Sequence, residues 1–112
     1  MKISIRENDG IAVVSVQGNI MQEYVSVFRS RIGDLIERGT VRIVLNLADS
    51  SYMSSMCLAA IVEAKNRTVQ AGGDIRVTCA NMLIENLLEI TNLNKKIEMF
   101  PTVDDAVASF GK

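Results

Sequence analysis

Two adjacent serines, Ser54 and Ser55, stand where an apolar strand hands over to a helix, in the run Ile43 to Ala64, IVLNLADSSYMSSMCLAAIVEA. A hydroxyl at such a junction lies beside backbone N–H groups that have no intrahelical partner, at the positive end of the helix dipole. A phosphate carried there would meet free donors and a favourable field. Covalent modification is therefore the chemistry these residues can support. Catalysis lacks its parts. The chain has no histidine, and a serine nucleophile would need a lysine or carboxylate base. Only Asp49 lies close in sequence, so no nucleophile–base pair can be named and the chain is not expected to be an enzyme. No metal-ligand cluster is present, and the glycine pair Gly72-Gly73 ends a predicted helix where a phosphate-cradling loop would open one. No cofactor and no metal are expected.

Around the serines the residue types suit docking. Met53, Met56 and Met82 could form a soft apolar patch, since methionine adapts to varied surfaces, or fill the core. Tyr52 is a partner anchor or a ring lying on the sheet edge with its hydroxyl wet. Asp49 and Ser50 suit turn capping. The plain alternative for Ser54 and Ser55 is that they are helix caps and nothing more. The candidate partner-binding set is Asp49, Ser50, Tyr52, Met53, Ser54, Ser55, Met56 and Met82. Ser55 is the first choice for modification and Ser54 the second.

Composition narrows the partners. The chain has 112 residues, the size of a single domain spanning 1–112. Its net charge of -1 carries no basic footprint for nucleic acid. No apolar run approaches the ~18 residues of a membrane span, so no direct membrane insertion is expected. Met1 to Arg6 alternates and lacks the apolar stretch of a signal peptide, which predicts a cytoplasmic protein. Cys57, on a predicted helix, and Cys79, at a strand end, read as reduced, buried, small hydrophobes.

The elements that must position the serines follow from hydrophobic period. Lys2 to Glu7 alternates, Asn8-Asp9-Gly10 is a hairpin turn, and Ile11 to Val16 is the partner strand. Gln22 to Arg38 is helical, with Val25, Phe28, Ile32, Leu35 and Ile36 on one face, and Gly39 stops it. Val41 to Leu47 reads as a central strand. A helix from Ser55 to Ala71 follows, its inner stripe predicted at Leu58, Ile61, Val62, Lys65 and Val69, with Lys65 snorkelling outwards. Ile75 to Cys79 is a strand, and Asn81 caps a helix carrying Leu83, Ile84, Leu87, Leu88 and Ile90. Ile97 to Phe100 is a last short strand. Thr102 caps a final helix with Asp105 in the capping-box position. The order β β α β α β α β α implies an α/β fold: a mixed sheet of four to five strands, an N-terminal hairpin plus parallel strands, with about four helices. Sites in such sheets lie at the carboxyl ends of strands, which is where the Asp49 to Cys57 turn falls.

The strand Ile43-Val44-Leu45-Asn46-Leu47, then Asp49, Tyr52-Met53, Ser54-Ser55 and Leu58, resembles the STAS domain of bacterial anti-sigma factor antagonists and sulfate-transporter tails. Gly18, the run Gly72-Gly73-Asp74-Ile75, Leu87 to Leu93 and Asp105-Ala106-Val107 extend the likeness over nearly the whole chain. The resemblance implies a regulatory binding module that docks on a kinase-type anti-sigma factor or related switch protein. In the antagonists that partner phosphorylates a serine in the turn, which breaks the complex, and a phosphatase reverses the modification. Aligned on Met53 and Leu58, the modified position falls on Ser55. Ser54 stands where the family carries aspartate, Met56 where it carries a second serine, and Cys57, a bulkier residue, where it carries glycine. Gly18-Asn19-Ile20-Met21 lacks the acidic residue the family often has there. The other function the resemblance admits is a non-phosphorylated STAS adaptor subunit of a lipid-transport ABC complex or other signalling assembly.

Overall fold

A computed structural model describes residues 2–50, 52–78 and 81–111. Strands β1 (Lys2–Asn8) and β2 (Ile11–Gln17) form the predicted antiparallel hairpin, with Asn8 opposite Ile11. The two-residue turn needs a left-handed backbone at both positions, and Asp9 at φ 54° and Gly10 at φ 79° supply it. A single 3₁₀ turn (Gln22–Tyr24) then leads into α1 (Val25–Glu37), where one continuous helix was expected. The remaining elements are β3 (Arg42–Asp49), α2 (Ser55–Gln70), β4 (Asp74–Thr78), α3 (Met82–Ile90), β5 (Met99–Phe100) and α4 (Val103–Phe110).

The five strands lie in the order β1-β2-β3-β4-β5, and every pairing after the hairpin is parallel. Each parallel step moves the same way across the sheet, so right-handed crossovers lay α1, α2 and α3 on one face. The main core forms there. Ala12, Val14 and Val16 of β2, Ile43, Leu45 and Leu47 of β3, and Ile75 and Val77 of β4 meet Phe28, Leu35, Ile61, Ile84 and Leu88 of the helices. The intervening residues Ile11, Val13 and Val44 point the other way, where α4 covers them with Ala106, Val103, Val107 and Phe110. The period-two alternation thus serves two layers, as in sheets covered on both faces.

Helix ends follow local chemistry. Asn81 accepts a hydrogen bond from the Ile84 N–H at 3.0 Å, and Thr102 one from the Asp105 N–H at 3.1 Å, so both predicted caps are made. At the end of α2, Gly72 turns left-handed at φ 89°, and the Gly72 and Gly73 N–H groups bond back to Val69 and Thr68 carbonyls. Gly73 has a different reason to be glycine: a Cβ there would lie 2.0 Å from the Val41 carbonyl oxygen.

The structure corrects the predicted stripes. On α2 the buried residues are Cys57, Leu58, Ala60, Ile61, Ala64 and Thr68, and Val69 is exposed. The buried face is centred on Cys57, Ile61, Ala64 and Thr68, which follow each other at helical spacing, and Val69 lies past its edge. Lys65 lies at the margin of that face, its ammonium paired with the Asp74 carboxylate. On α3 only Ile84 and Leu88 are buried, while Leu83 and Ile90 face outwards. β3 runs two residues beyond the predicted Leu47, so Asp49 ends a strand instead of opening a turn. Cys79 lies outside the described residues.

Candidate functional site: the amino terminus of α2

The segment after β2 and the turn after β3 are stitched together at the carboxyl end of the sheet. Gly18 donates its N–H to the Asp49 carbonyl at 3.0 Å, Ile20 to the Tyr52 carbonyl at 2.9 Å, and Ser54 to the Ile20 carbonyl at 2.9 Å. Ile20 and Met53 form a parallel bridge and are both fully buried. A third strut comes from α3, where the capping Asn81 also donates its amide to the Ser50 carbonyl. Ser50 is itself buried, its hydroxyl donating to the Val16 carbonyl at 3.0 Å. These bonds satisfy the polar backbone of an irregular segment that covers the core, as buried polar groups require.

The two serines divide the work. Ser54 is the N-cap of α2, extended at φ -73° and ψ 161°, and its Oγ accepts from the Cys57 N–H at 3.3 Å. The same N–H also reaches the Ser54 carbonyl at 3.0 Å, and Leu58 bonds that carbonyl at 3.2 Å. Ser55 is the first helical residue and is exposed. Its N–H and that of Met56 have no partner among the described residues, as the first turn of a helix dictates. An exposed hydroxyl thus sits next to two donors without a partner among the described residues, at the positive helix end. The turn carries no fixed cation. Asp49 is exposed, one strand end away.

Of the residues predicted to bind a partner, Tyr52, Met56, Met82, Ser55 and Asp49 are exposed at this end of the sheet, and Ser54 is half-buried. Two are not available. Met53 and Ser50 are each 1% exposed, Met53 because its bridge to Ile20 turns it into the core and Ser50 because its hydroxyl closes the loop. Two exposed residues join the surface that sequence reasoning missed: Met21, directly after the bridging Ile20, and Tyr24 in the 3₁₀ turn that touches α2. The trace of them in the sequence is the missing acidic residue in Gly18-Asn19-Ile20-Met21. Their approach to α2 depends on the Ile20–Met53 bridge, which no local pattern announces.

Cys57 is buried, and desolvation pushes its thiol up to about 12 from the usual 9.0. Its side chain points into the core, so it does not crowd the first turn of α2, contrary to the expectation that replacing the family's glycine would add bulk there. It is the wrong group for nucleophilic chemistry, which needs an accessible thiolate. Among the described residues no three His, Cys, Asp or Glu side chains converge on a possible metal site, and no helix is long and apolar enough to cross a membrane.

A hairpin followed by parallel strands, four helices and a serine-capped turn leading into α2 define a domain class, and the chain belongs to it: the STAS domain family matches residues 2–106. A protein of Thermotoga neapolitana described as an anti-sigma factor antagonist is 27% identical over 86 residues, 76% of each chain. The crystal structure of a protein of Thermotoga maritima with the same description superposes with a TM-score of 0.94 at 21% identity, covering 98% of this chain and 95% of the other. The Bacillus cell fate determinant SpoIIAA in its phosphorylated form superposes with a TM-score of 0.77 at 14% identity over 96% and 98%. At these identities the two structures establish the shared fold.

Proposed function

We propose that this chain is a regulatory docking module of the anti-sigma factor antagonist type, that its partner is an anti-sigma factor with kinase activity, and that phosphorylation of Ser55 releases the partner. The observation that carries the reading is the division between the serines: the Ser54 hydroxyl is occupied by capping, while Ser55 is exposed beside the N–H groups of Ser55 and Met56, which have no partner among the described residues. Relatives described as anti-sigma factor antagonists support the type of partner.

The release follows from electrostatics. A phosphoserine brings about -1.5 to -2 charges. In the free protein water, the two N–H donors and the helix dipole accommodate that charge at little local cost. In a complex the same group would be trapped beneath a partner packed against Tyr52, Met56, Met21 and Tyr24, with no Lys or Arg in the 50–57 turn itself to neutralise it. Desolvating an unpaired charge is expensive, so the complex loses and the free protein does not. A phosphatase acting on the exposed Ser55 phosphate would reset the module.

The test is calorimetric titration of a purified anti-sigma factor ATPase from the same cells with wild type, Ser55→Ala and Ser55→Asp. Ser55→Asp should weaken binding by roughly a hundredfold, equivalent to about 2.7 kcal/mol. Ser55→Ala should keep binding and lose phosphate incorporation. Unchanged affinity of Ser55→Asp would mean that this surface does not switch.

A further inference from the structure

The methionines are distributed unevenly. Met21, Met56 and Met82 are 42%, 45% and 76% exposed and follow the carboxyl ends of β2, β3 and β4 in turn, while Met99, in β5, is 37% exposed. Met21 follows the residue bridged to Met53, Met56 is the second residue of α2, and Met82 is the first of α3, whose cap Asn81 is bonded to Ser50. Met53 lies in the core at 1% exposure. Three exposed thioethers on three separate segments therefore lie at the carboxyl end of the sheet, the end that also carries Ser55, while Met53 at the same end is buried. We propose that these exposed methionines are a second modification site on the docking surface: oxidation of Met21, Met56 and Met82 to sulfoxides by a peroxide closes it to the partner. The inference rests on the docking reading above and adds a second, redox input to the same surface.

The chemistry balances without a further group. The thioether sulfur donates a lone pair to one peroxide oxygen, the O–O bond breaks, an S–O bond forms, and the other oxygen leaves as water. Sulfur loses two electrons and the peroxide gains them. A dithiol-dependent sulfoxide reductase reverses the step, its two thiols becoming a disulfide while the oxygen leaves as water. A thioether needs only exposure to react, because it has no proton to lose. Cys57 meets neither requirement of a thiol sensor: it is buried and stays protonated at neutral pH. The consequence for docking is physical. A sulfoxide replaces an adaptable apolar surface by a strong acceptor that a packed partner leaves unsatisfied. The core is spared because Met53 is shielded.

The experiment treats the folded chain with hydrogen peroxide, maps the oxidised residues by peptide mass spectrometry, and titrates the purified anti-sigma factor ATPase before and after. Oxidation should appear at Met21, Met56 and Met82 ahead of Met53, leave the melting temperature unchanged, weaken binding by about tenfold or more, and be undone by methionine sulfoxide reductases. The triple variant Met21→Leu, Met56→Leu, Met82→Leu, whatever its own affinity, should bind equally before and after peroxide, whereas Met99→Leu should keep the wild-type sensitivity. Oxidised protein that binds as tightly as reduced protein, or a triple variant as sensitive as wild type, overturns the inference while the docking reading stands. Failure of the reduced chain to bind overturns the docking reading, and the redox switch with it.

Discussion

Replacing the two serines one at a time should have opposite consequences, and the structure supplies the magnitudes. Ser54→Ala removes the oxygen that accepts the Cys57 N–H at 3.3 Å. The cost of losing an N-cap is typically ~1 kcal/mol within a range of about 0.5–2 kcal/mol. Here it should lie at the low end, because the Cys57 N–H keeps the Ser54 carbonyl at 3.0 Å after truncation. A loss of about 0.5–1 kcal/mol, divided by an unfolding entropy of about 2.1 cal/mol/K per residue, lowers the melting temperature by about 2–4 °C for a chain of this length. Ser55→Ala removes an exposed hydroxyl that makes no bond within the described residues, so its melting temperature should stay within the scatter of a surface substitution, roughly ±0.5 kcal/mol. In a kinase assay with radiolabelled ATP and the anti-sigma factor, the order reverses: Ser54→Ala should still incorporate phosphate and Ser55→Ala should not. Thermal unfolding of both variants by calorimetry, paired with the labelling assay, checks the whole argument. If Ser55→Ala is the destabilised variant, or Ser54→Ala is the one that loses phosphate, the assignment of cap and switch is inverted and the reasoning from helix position fails.

Two further outcomes test the frame that holds the site. Gly73→Ala must move the Val41 carbonyl or the α2–β4 turn, since its Cβ would sit 2.0 Å from that oxygen, and it should cost more than about 3 kcal/mol, read as a fall in the urea midpoint or failure to fold. Cys57 should resist a thiol-specific reagent in the native protein at pH 8 and react fully in denaturant. Its folded value, raised from 9.0 to about 12, means that the native state holds the proton more tightly than the unfolded state, so its contribution to stability is complete below pH 9 and is lost as pH rises from there towards 12. Comparison with Cys57→Ala in a pH series of melting temperatures isolates that contribution, and identical slopes would show the thiol to be more accessible than the structure has it.

Reading the chain alone recovers elements whose causes are local. The Asp9-Gly10 hairpin, the stop at Gly72, and the caps Asn81 and Thr102 each depend on one or two residues and a backbone conformation they favour, so type and position could be read directly. The order of strands and helices, and with it the mixed sheet, followed from a change of hydrophobic period. The family followed from the turn between β3 and α2.

What the sequence left open depends on which groups meet. Period shows that α2 has an inner face, but its rotation onto Cys57, Ile61, Ala64 and Thr68, with Val69 left outside, is decided by how the helix packs on the sheet. Composition shows methionines near two serines, but Met53 is core and Met56 is surface because one strand bridge, Ile20 to Met53, turns the chain between them. That bridge also carries Met21 and Tyr24 towards α2, across more than thirty residues of chain. The sequence alone placed the serine pair at the junction of a strand and a helix. Only the tertiary structure separated the occupied hydroxyl of Ser54 from the free one of Ser55, because a helix begins at one particular residue, and the long-range bonds from Ile20 and Asn81 set where that residue lies.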